Sequence, residues 1–148
     1  MSEGSQRITA VDTSVAIPLL VASHPVHRAV AEWAAGRDLS LAGHALHETY
    51  SVLTRLPGDA RVRPTDAITL MTENFAAPML LTEESQRLAL PELAQRDVSG
   101  GATYDALIAL AARAHKAVLA TRDERARGTY EVLGLEVEVL RLAVGSDG

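Results

Sequence analysis

Short segments of strand length alternate with helix-forming segments along this chain, and that alternation limits the folds open to it. Residues 8–11, 39–41, 79–81 and 117–120 are short and largely apolar, as buried strands are. Residues 135–140 alternate apolar and acidic side chains, as a strand with one polar face does. Strands that alternate with helices form right-handed βαβ units on a mostly parallel sheet. The sequence therefore predicts an α/β fold.

Helices are predicted between these strands. The clearest begins after Pro25 and ends near Gly36, because Val26, Ala29, Val30 and Trp33 follow the spacing of one helix face. Thr13 and Ser14 are predicted to cap a helix that follows the first strand. Other helices are expected from Gly43, Pro64, Thr82 and Thr103. Pro91 leaves two alternatives for residues 82–96, one kinked helix or two short helices.

Composition indicates a single domain. The chain has 148 residues, of which 47% are hydrophobic, and we expect one domain over residues 1–148 with a core at about 8–140. The termini are expected to be flexible, with residues 145–148 disordered. The absence of cysteine excludes a disulfide framework, a thiolate zinc site and a thiol nucleophile, and is typical of a reducing cytoplasm. No signal pattern or membrane-length apolar run is present, so we expect a cytoplasmic protein with no membrane association.

Four carboxylates stand beside strand ends or helix starts. Asp12 and Asp123 directly follow predicted strands, and Glu48 and Asp105 lie in the first turns of predicted helices. Parallel sheets bind ligands at the carboxyl ends of their strands, where these side chains can meet. Carboxylates about 4 Å apart repel by roughly 4 kcal/mol per pair at an effective dielectric near 20, so a cluster needs protonation or a cation. Oxygen ligands alone favour Mg²⁺ or Mn²⁺.

Two further groups of residues are candidates for a functional role. His44, His47 and Glu48 do not have the spacing of a zinc peptidase motif, so a zinc site is not predicted. Arg55, Arg113 and Arg122 are candidate contacts to the phosphates of a bound polyanion. The net charge is −5, so any polyanion must be held by a local basic patch or by bound cations.

In order and spacing, four pieces of the chain resemble the PIN-domain ribonucleases, specifically the VapC-type toxins of bacterial toxin-antitoxin pairs. They are residues 11–14, the helix that carries Glu48, residues 104–108 and residues 121–123. The resemblance covers about residues 11–140 and departs from the family in the extension before the first strand and in the region around Pro91.

This resemblance implies a three-layer α/β/α sandwich around a mostly parallel sheet and RNA cleavage that depends on Mg²⁺ or Mn²⁺. It also implies a homodimer and a small VapB-type antitoxin as partner. With RNA as the substrate, Arg55, Arg113 and Arg122 become candidate contacts to the RNA backbone. By position, Asp12, Glu48, Asp105 and Asp123 correspond to the catalytic and metal-binding acidic quartet, and Ser14 and Thr121 to its supporting hydroxyls. Two alternatives stay open, a catalytically silent PIN-like interaction scaffold and a metal-dependent hydrolase of DNA or small phosphate esters.

Overall fold

A computed structural model describes residues 7–142, which form a parallel sheet flanked by helices. The expected flexibility of the termini, including residues 145–148, concerns residues outside this range. The four strands are β1 (Thr9–Val11), β2 (Leu39–Leu41), β3 (Leu119–Thr121) and β4 (Val137–Val139). The helices within the described range are α1 (Thr13–Leu20), α2 (His27–Ala34), α3 (Ala45–Thr54), α4 (Pro64–Asn74), α5 (Glu83–Gln95), α6 (Ala102–Ala114) and α7 (Glu124–Val132).

All strand pairs in this sheet are parallel, in the order β2-β1-β3-β4. The residues of β2 and β3 are buried throughout, as expected of strands covered on both faces. The helices pack in two groups. One group contains α1, α2, α3 and α4, and the other contains α5, α6 and α7. The predicted α/β/α sandwich with a parallel central sheet is therefore confirmed.

The strand order reverses direction at β1. The chain moves from β1 to β2 on one side and later from β3 to β4 on the other. Because right-handed crossovers that run in opposite directions place their helices on opposite faces, a crevice opens beyond the carboxyl ends of β1 and β3. Asp12 directly follows β1, and Asp123 lies two residues after β3 ends at Thr121, so both residues flank this crevice.

One predicted strand is wrong. Residues 79–81 form only an isolated bridge, between Met79 and Ala42. Pro78 has no amide hydrogen for a sheet ladder, and Leu80 is 51% exposed, so the segment leaves the sheet after one residue. Near Pro91, the structure selects one of the two alternatives, because α5 is a single helix that contains this proline. Pro91 lies on the exposed side of α5, where a carbonyl without its amide partner can bind water.

Gly43, two residues before α3, lies against α6. Its φ of +52° is in the left-handed region, and a Cβ atom there would lie 2.7 Å from the Leu107 carbonyl oxygen of α6. A residue without a side chain is therefore needed for the close approach of this turn to α6. No helix within residues 7–142 combines the length and the apolar character that a membrane crossing requires.

Candidate active site

The four predicted carboxylates surround one cavity at the carboxyl edge of the sheet. Its volume is about 290 Å³, and Asp12, Glu48, Asp105 and Asp123 all line it. The other lining residues are Thr13, Ser14, Ile17, Pro18, His24, Ile108, Arg122 and Tyr130. Segments that are as much as 118 residues apart in the chain, from Asp12 to Tyr130, therefore meet at one place.

Asp12 is the most strongly held of the four. It is 4% exposed and caps the N-terminus of α1, so the prediction that Thr13 and Ser14 cap this helix is wrong. Oδ1 accepts hydrogen bonds from the Ser14 amide at 3.1 Å and the Ser14 hydroxyl at 2.6 Å. Oδ2 accepts hydrogen bonds from the Thr121 hydroxyl and, at 2.8 Å, from the Tyr130 hydroxyl. Four donors thus contact this carboxylate, two at each oxygen, and leave it few free lone pairs.

The Ser14 and Thr121 hydroxyls link Asp12 to the turn after β3. Ser14 Oγ accepts a hydrogen bond from the Arg122 amide at 2.8 Å, and Thr121 Oγ1 accepts one from the Asp123 amide at 3.0 Å. Because each hydroxyl has one proton and that proton goes to Asp12, the direction of both hydrogen bonds is fixed. Asp12 is therefore held relative to Asp123 by two short chains of hydrogen bonds.

The burial of Asp12 raises the pKa of its carboxyl group, while the hydrogen bonds from Ser14, Thr121 and Tyr130 act in the opposite direction. The same neighbourhood raises the pKa of the Tyr130 hydroxyl, chiefly through burial and then through the negative charge of Asp12. Tyr130 therefore remains a proton donor to Asp12 at neutral pH.

Glu48 lies at the solvent-exposed rim of the cavity. Its Oε1 accepts a hydrogen bond at 2.9 Å from the hydroxyl of Thr13, the first residue of α1. The hydroxyl oxygen of Thr13 is 3.3 Å from the hydroxyl oxygen of the fully buried Thr49. The first turn of α3 is thereby oriented toward the first turn of α1, with Glu48 facing the other carboxylates.

Asp105 differs from the other three because it lacks compensating contacts. Within residues 7–142, no hydrogen bond supports its charged form. Desolvation raises its pKa, and the charges of Asp123, Asp12 and Glu48 raise it further, with a small opposing contribution from Arg125. Asp123, in contrast, caps α7 by accepting a hydrogen bond from the Arg125 amide at 3.0 Å.

The three candidate RNA-contacting arginines do not lie together. Arg122 lines the cavity and donates a hydrogen bond to the Ser14 carbonyl at 3.1 Å. Arg55 and Arg113 do not line it. Arg113 lies eight residues beyond Asp105 on α6, about 12 Å along the helix axis, and binds the Glu92 carboxylate with two hydrogen bonds of 2.7 and 2.8 Å. The hydrogen bonds and positive charge of Arg113, together with those of Arg96, lower the pKa of Glu92 to about 2.

Sequence reasoning missed Tyr130 and left His24 open. Tyr130 lies in the last turn of α7 and gives no local signal of a polar contact, because its partner Asp12 is 118 residues away. From the sequence, His24 at the helix entrance beside Pro25 is either a surface residue or a groove contact, and the structure places it in the cavity wall.

The donor set suits a hard divalent cation. Its four carboxylates include the unpaired Asp105, and the neighbouring hydroxyls are hard oxygen groups as well. As the side chains are placed, no three acidic or histidine residues within positions 7–142 form a set that could hold one ion. Mg²⁺ is commonly bound by one or two carboxylates and several waters, so this spacing suits it.

Comparisons with known proteins agree with this geometry. The family model described as PIN domain matches residues 9–132. Ribonuclease VapC27 of Mycobacterium tuberculosis is 59% identical over 130 residues, which is 88% of this chain and 95% of that protein. Ribonuclease VapC40 of the same species is 42% identical over 132 residues, which is 88% of this chain and 98% of that protein. In structure, the chain is similar to a chain of VapBC2 from Rickettsia felis, which was solved bound to a promoter DNA fragment. The TM-score is 0.64 at 15% sequence identity, and the match covers 90% of this chain and 98% of that chain.

Proposed function

This chain belongs to the PIN-domain family of VapC ribonucleases, and from that premise we propose that it is a divalent-metal-dependent endoribonuclease that acts as the toxin of a toxin-antitoxin pair. The observation that carries the proposal is the convergence of Asp12, Glu48, Asp105 and Asp123 on one cavity. Their residue types and their place beyond β1 and β3 suit hydrolysis of a phosphodiester.

Asp105 and Asp123 are the carboxylates proposed to bind a Mg²⁺ or Mn²⁺ ion directly, with Asp12 and Glu48 completing its environment directly or through water. Support comes from the hydrogen bonds, because the four donors to Asp12 leave it few free lone pairs while Asp105 has none engaged. When bound, the cation supplies Lewis-acid activation of water and offsets charge on the phosphodiester.

The remaining residues of the cavity orient these groups. Ser14, Thr121 and Tyr130 fix the Asp12 carboxylate in one position, and Thr13 orients Glu48. Arg122 contributes a positive charge at the same cavity, suited to an RNA phosphate. Arg55 and Arg113 are not part of this proposal, since neither lines the cavity and Arg113 is paired with Glu92.

Asp105→Asn tests the proposal with little structural disturbance. Because Asp105 accepts no hydrogen bond from the described residues 7–142 and its charge is repelled by three neighbours, the variant should fold at least as stably as the parent and lose Mg²⁺-stimulated RNA cleavage. Asp66→Asn is the matched control, as Asp66 also lies in the first turn of a helix, α4, and outside the cavity. Cleavage is measured on total bacterial RNA by mapping of new 5′ ends. A folded Asp105→Asn protein that cuts at the parental rate would exclude the assigned site.

We propose a VapB-type antitoxin as partner and a homodimer as the state of the free toxin. The similarity to VapBC2 and to the VapC ribonucleases supports the antitoxin, and the homodimer is what the family resemblance implies. An apolar cavity of about 350 Å³ between α3 and α4, lined by Leu46, Tyr50, Ile68 and Met71 among others, is a surface suited to a protein partner. Expression of the chain alone should arrest growth, and co-expression of the cognate antitoxin should restore it.

Two other functions compete with this one. A catalytically silent scaffold would bind its partner tightly and cut no RNA. A hydrolase of DNA or small phosphate esters would use the same carboxylates, because the quartet itself does not recognise ribose. Parallel assays with RNA, single-stranded DNA and a chromogenic phosphodiester, each with and without Mg²⁺, separate the three.

A further inference from the structure

His24 lies in the cavity wall, in the turn between α1 and α2. Its backbone is held on both sides, because its amide donates to the Val21 carbonyl at 3.0 Å and its carbonyl accepts from the His27 amide at 2.9 Å. Its ring is held as well, since Nδ1 accepts a hydrogen bond from the Val26 amide at 3.2 Å. The imidazole is therefore fixed in position before any ligand binds.

The hydrogen bond at Nδ1 determines what the other ring nitrogen can do. A ring nitrogen that accepts a backbone N–H carries no proton, so the neutral ring of His24 has its proton on Nε2. Burial and then the positive charges of Arg122 and His27 lower the pKa of His24, which favours this neutral form.

Nε2 makes no hydrogen bond to the described part of the protein. Within residues 7–142, the hydrogen bond of the His24 ring is the one at Nδ1, and no buried side-chain nitrogen or oxygen lacks a partner. The unpaired Nε2 is therefore exposed to solvent, and His24 is one of the residues that line the cavity. The ring provides a fixed N–H donor with no acceptor among residues 7–142.

Arg122 lines the same cavity as His24. Its guanidinium is close enough to His24 to lower the pKa of the imidazole, and it is anchored to the Ser14 carbonyl. One side of the cavity thus presents carboxylates, and Arg122 and His24 add a cation and an N–H donor. A phosphate group suits this arrangement. Its oxygens accept hydrogen bonds from Arg122 and from His24, and they also contact a cation held by the carboxylates.

We propose that His24 donates a hydrogen bond from Nε2 to a non-bridging phosphate oxygen of the RNA strand bound at the carboxylate cluster. This inference rests on the proposed ribonuclease function and adds a substrate-contacting residue to it. The contacted oxygen is negatively charged both before and during the reaction, so the hydrogen bond should contribute mainly to substrate binding, and its loss should raise KM more than it lowers kcat.

Three substitutions separate the contact from the structural role of His24 in the turn. His24→Asn keeps an acceptor two residues before the Val26 amide, as Asn does in many turns, but loses the group at Nε2. His24→Gln extends an amide donor farther into the cavity and gives up the short-range acceptor. His24→Ala removes both.

The test measures kcat and KM on a fluorogenic oligoribonucleotide whose sequence the wild-type chain cuts, together with unfolding midpoints and the Mg²⁺ concentration for half-maximal cleavage. His24→Asn should lower kcat/KM by about tenfold or more, largely through KM, with the midpoint and the Mg²⁺ requirement unchanged. His24→Gln should retain more of the parental kcat/KM than His24→Asn, and the cleavage sequence should be the same for all variants.

The outcomes separate this inference from the function on which it rests. If the wild-type chain cuts no RNA, the ribonuclease proposal fails and the contact fails with it. If the wild-type chain cuts RNA and Asp105→Asn does not, a parental kcat/KM for His24→Asn overturns the contact alone. A loss confined to kcat, or a changed cleavage sequence, also overturns it, because these indicate a disturbed carboxylate cluster or a base contact.

Discussion

At the scale of single residues, the site depends on how Asp12 is kept in place. Burial works against its ionised form, and four hydrogen bonds offset part of that cost. Three of the four donors are hydroxyls, from Ser14, Thr121 and Tyr130, which are neutral and leave the negative charge of the cavity intact. A cation that binds nearby therefore meets a carboxylate that is already oriented.

Tyr130→Phe should destabilise the protein by about 1–3 kcal/mol, because it removes one donor from a buried carboxylate and leaves the ring in place. RNA cleavage should fall as well, since Asp12 is then less well fixed. Denaturant unfolding and initial cleavage rates measure the two effects. Tyr50→Phe is the control, as Tyr50 does not line the carboxylate cavity. A Tyr130→Phe protein as stable and as active as Tyr50→Phe would show that the hydroxyl contributes nothing to the site.

At the scale of helices and strands, the site is built from the starts of four helices. Asp12 and Asp123 are N-caps of α1 and α7, and Glu48 and Asp105 lie in the first turns of α3 and α6. The positive ends of helix dipoles favour negative charge, so each carboxylate receives a small stabilisation where it stands. The turn before α3 lies against α6 at Gly43, and Glu48 of α3 and Asp105 of α6 line the same cavity.

Gly43→Ala tests that approach. The added Cβ would overlap the Leu107 carbonyl and would require an alanine at positive φ, so we expect a stability loss of about 1–3 kcal/mol and a reduced cleavage rate as α3 moves away from α6. Gly36→Ala is a matched control, because its φ is +78° and no atom lies within 4 Å of the added Cβ. Unfolding curves and cleavage rates of both variants are compared. Equal losses for the two would mean that backbone strain alone, rather than helix contact, determines the effect.

At the scale of the whole molecule, stability without metal should depend on pH in two opposite ways. Asp12 and Asp105 have pKa values raised above 3.8, so the folded state binds more protons than the unfolded state between 3.8 and those raised values. In that window stability rises as pH falls. Glu92 has its pKa lowered from 4.5 to about 2, so its contribution is present above pH 4.5 and is lost as pH falls through about 2.

We therefore expect the metal-free protein to become more stable on mild acidification and less stable at lower pH. Thermal unfolding in EDTA across this pH range measures the profile. Asp105→Asn should reduce the rise, and Glu92→Gln should reduce the fall below pH 4.5, because each removes one of the groups responsible. If Asp105→Asn leaves the rise unchanged, the charge repulsion assigned to this carboxylate is not part of the energetics of the protein.

Much of this molecule could be predicted from the sequence, because it depended on local patterns. The alternation of short strands with amphipathic helices predicted the parallel α/β sheet, and both the fold class and the PIN-domain resemblance are confirmed. The extra strand at residues 79–81 was wrong because a short apolar run does not reveal whether a sheet neighbour is within reach. The roles of Asp12, Glu48, Asp105 and Asp123 stay predictions, although the structure brings all four to one cavity.

By itself, the sequence determined most of the strands and helices and which carboxylates stand beside their ends, since both depend on neighbours a few residues away. It did not predict α7, and it placed a strand at residues 79–81 that the structure does not form. Only the tertiary structure decided that Tyr130 binds Asp12 and that His24 lines the cavity. It also decided that Arg113 binds Glu92 and does not line the cavity. These contacts join residues whose separation along the chain carries no periodic signal, and they arise from the packing of helices around the reversal in strand order.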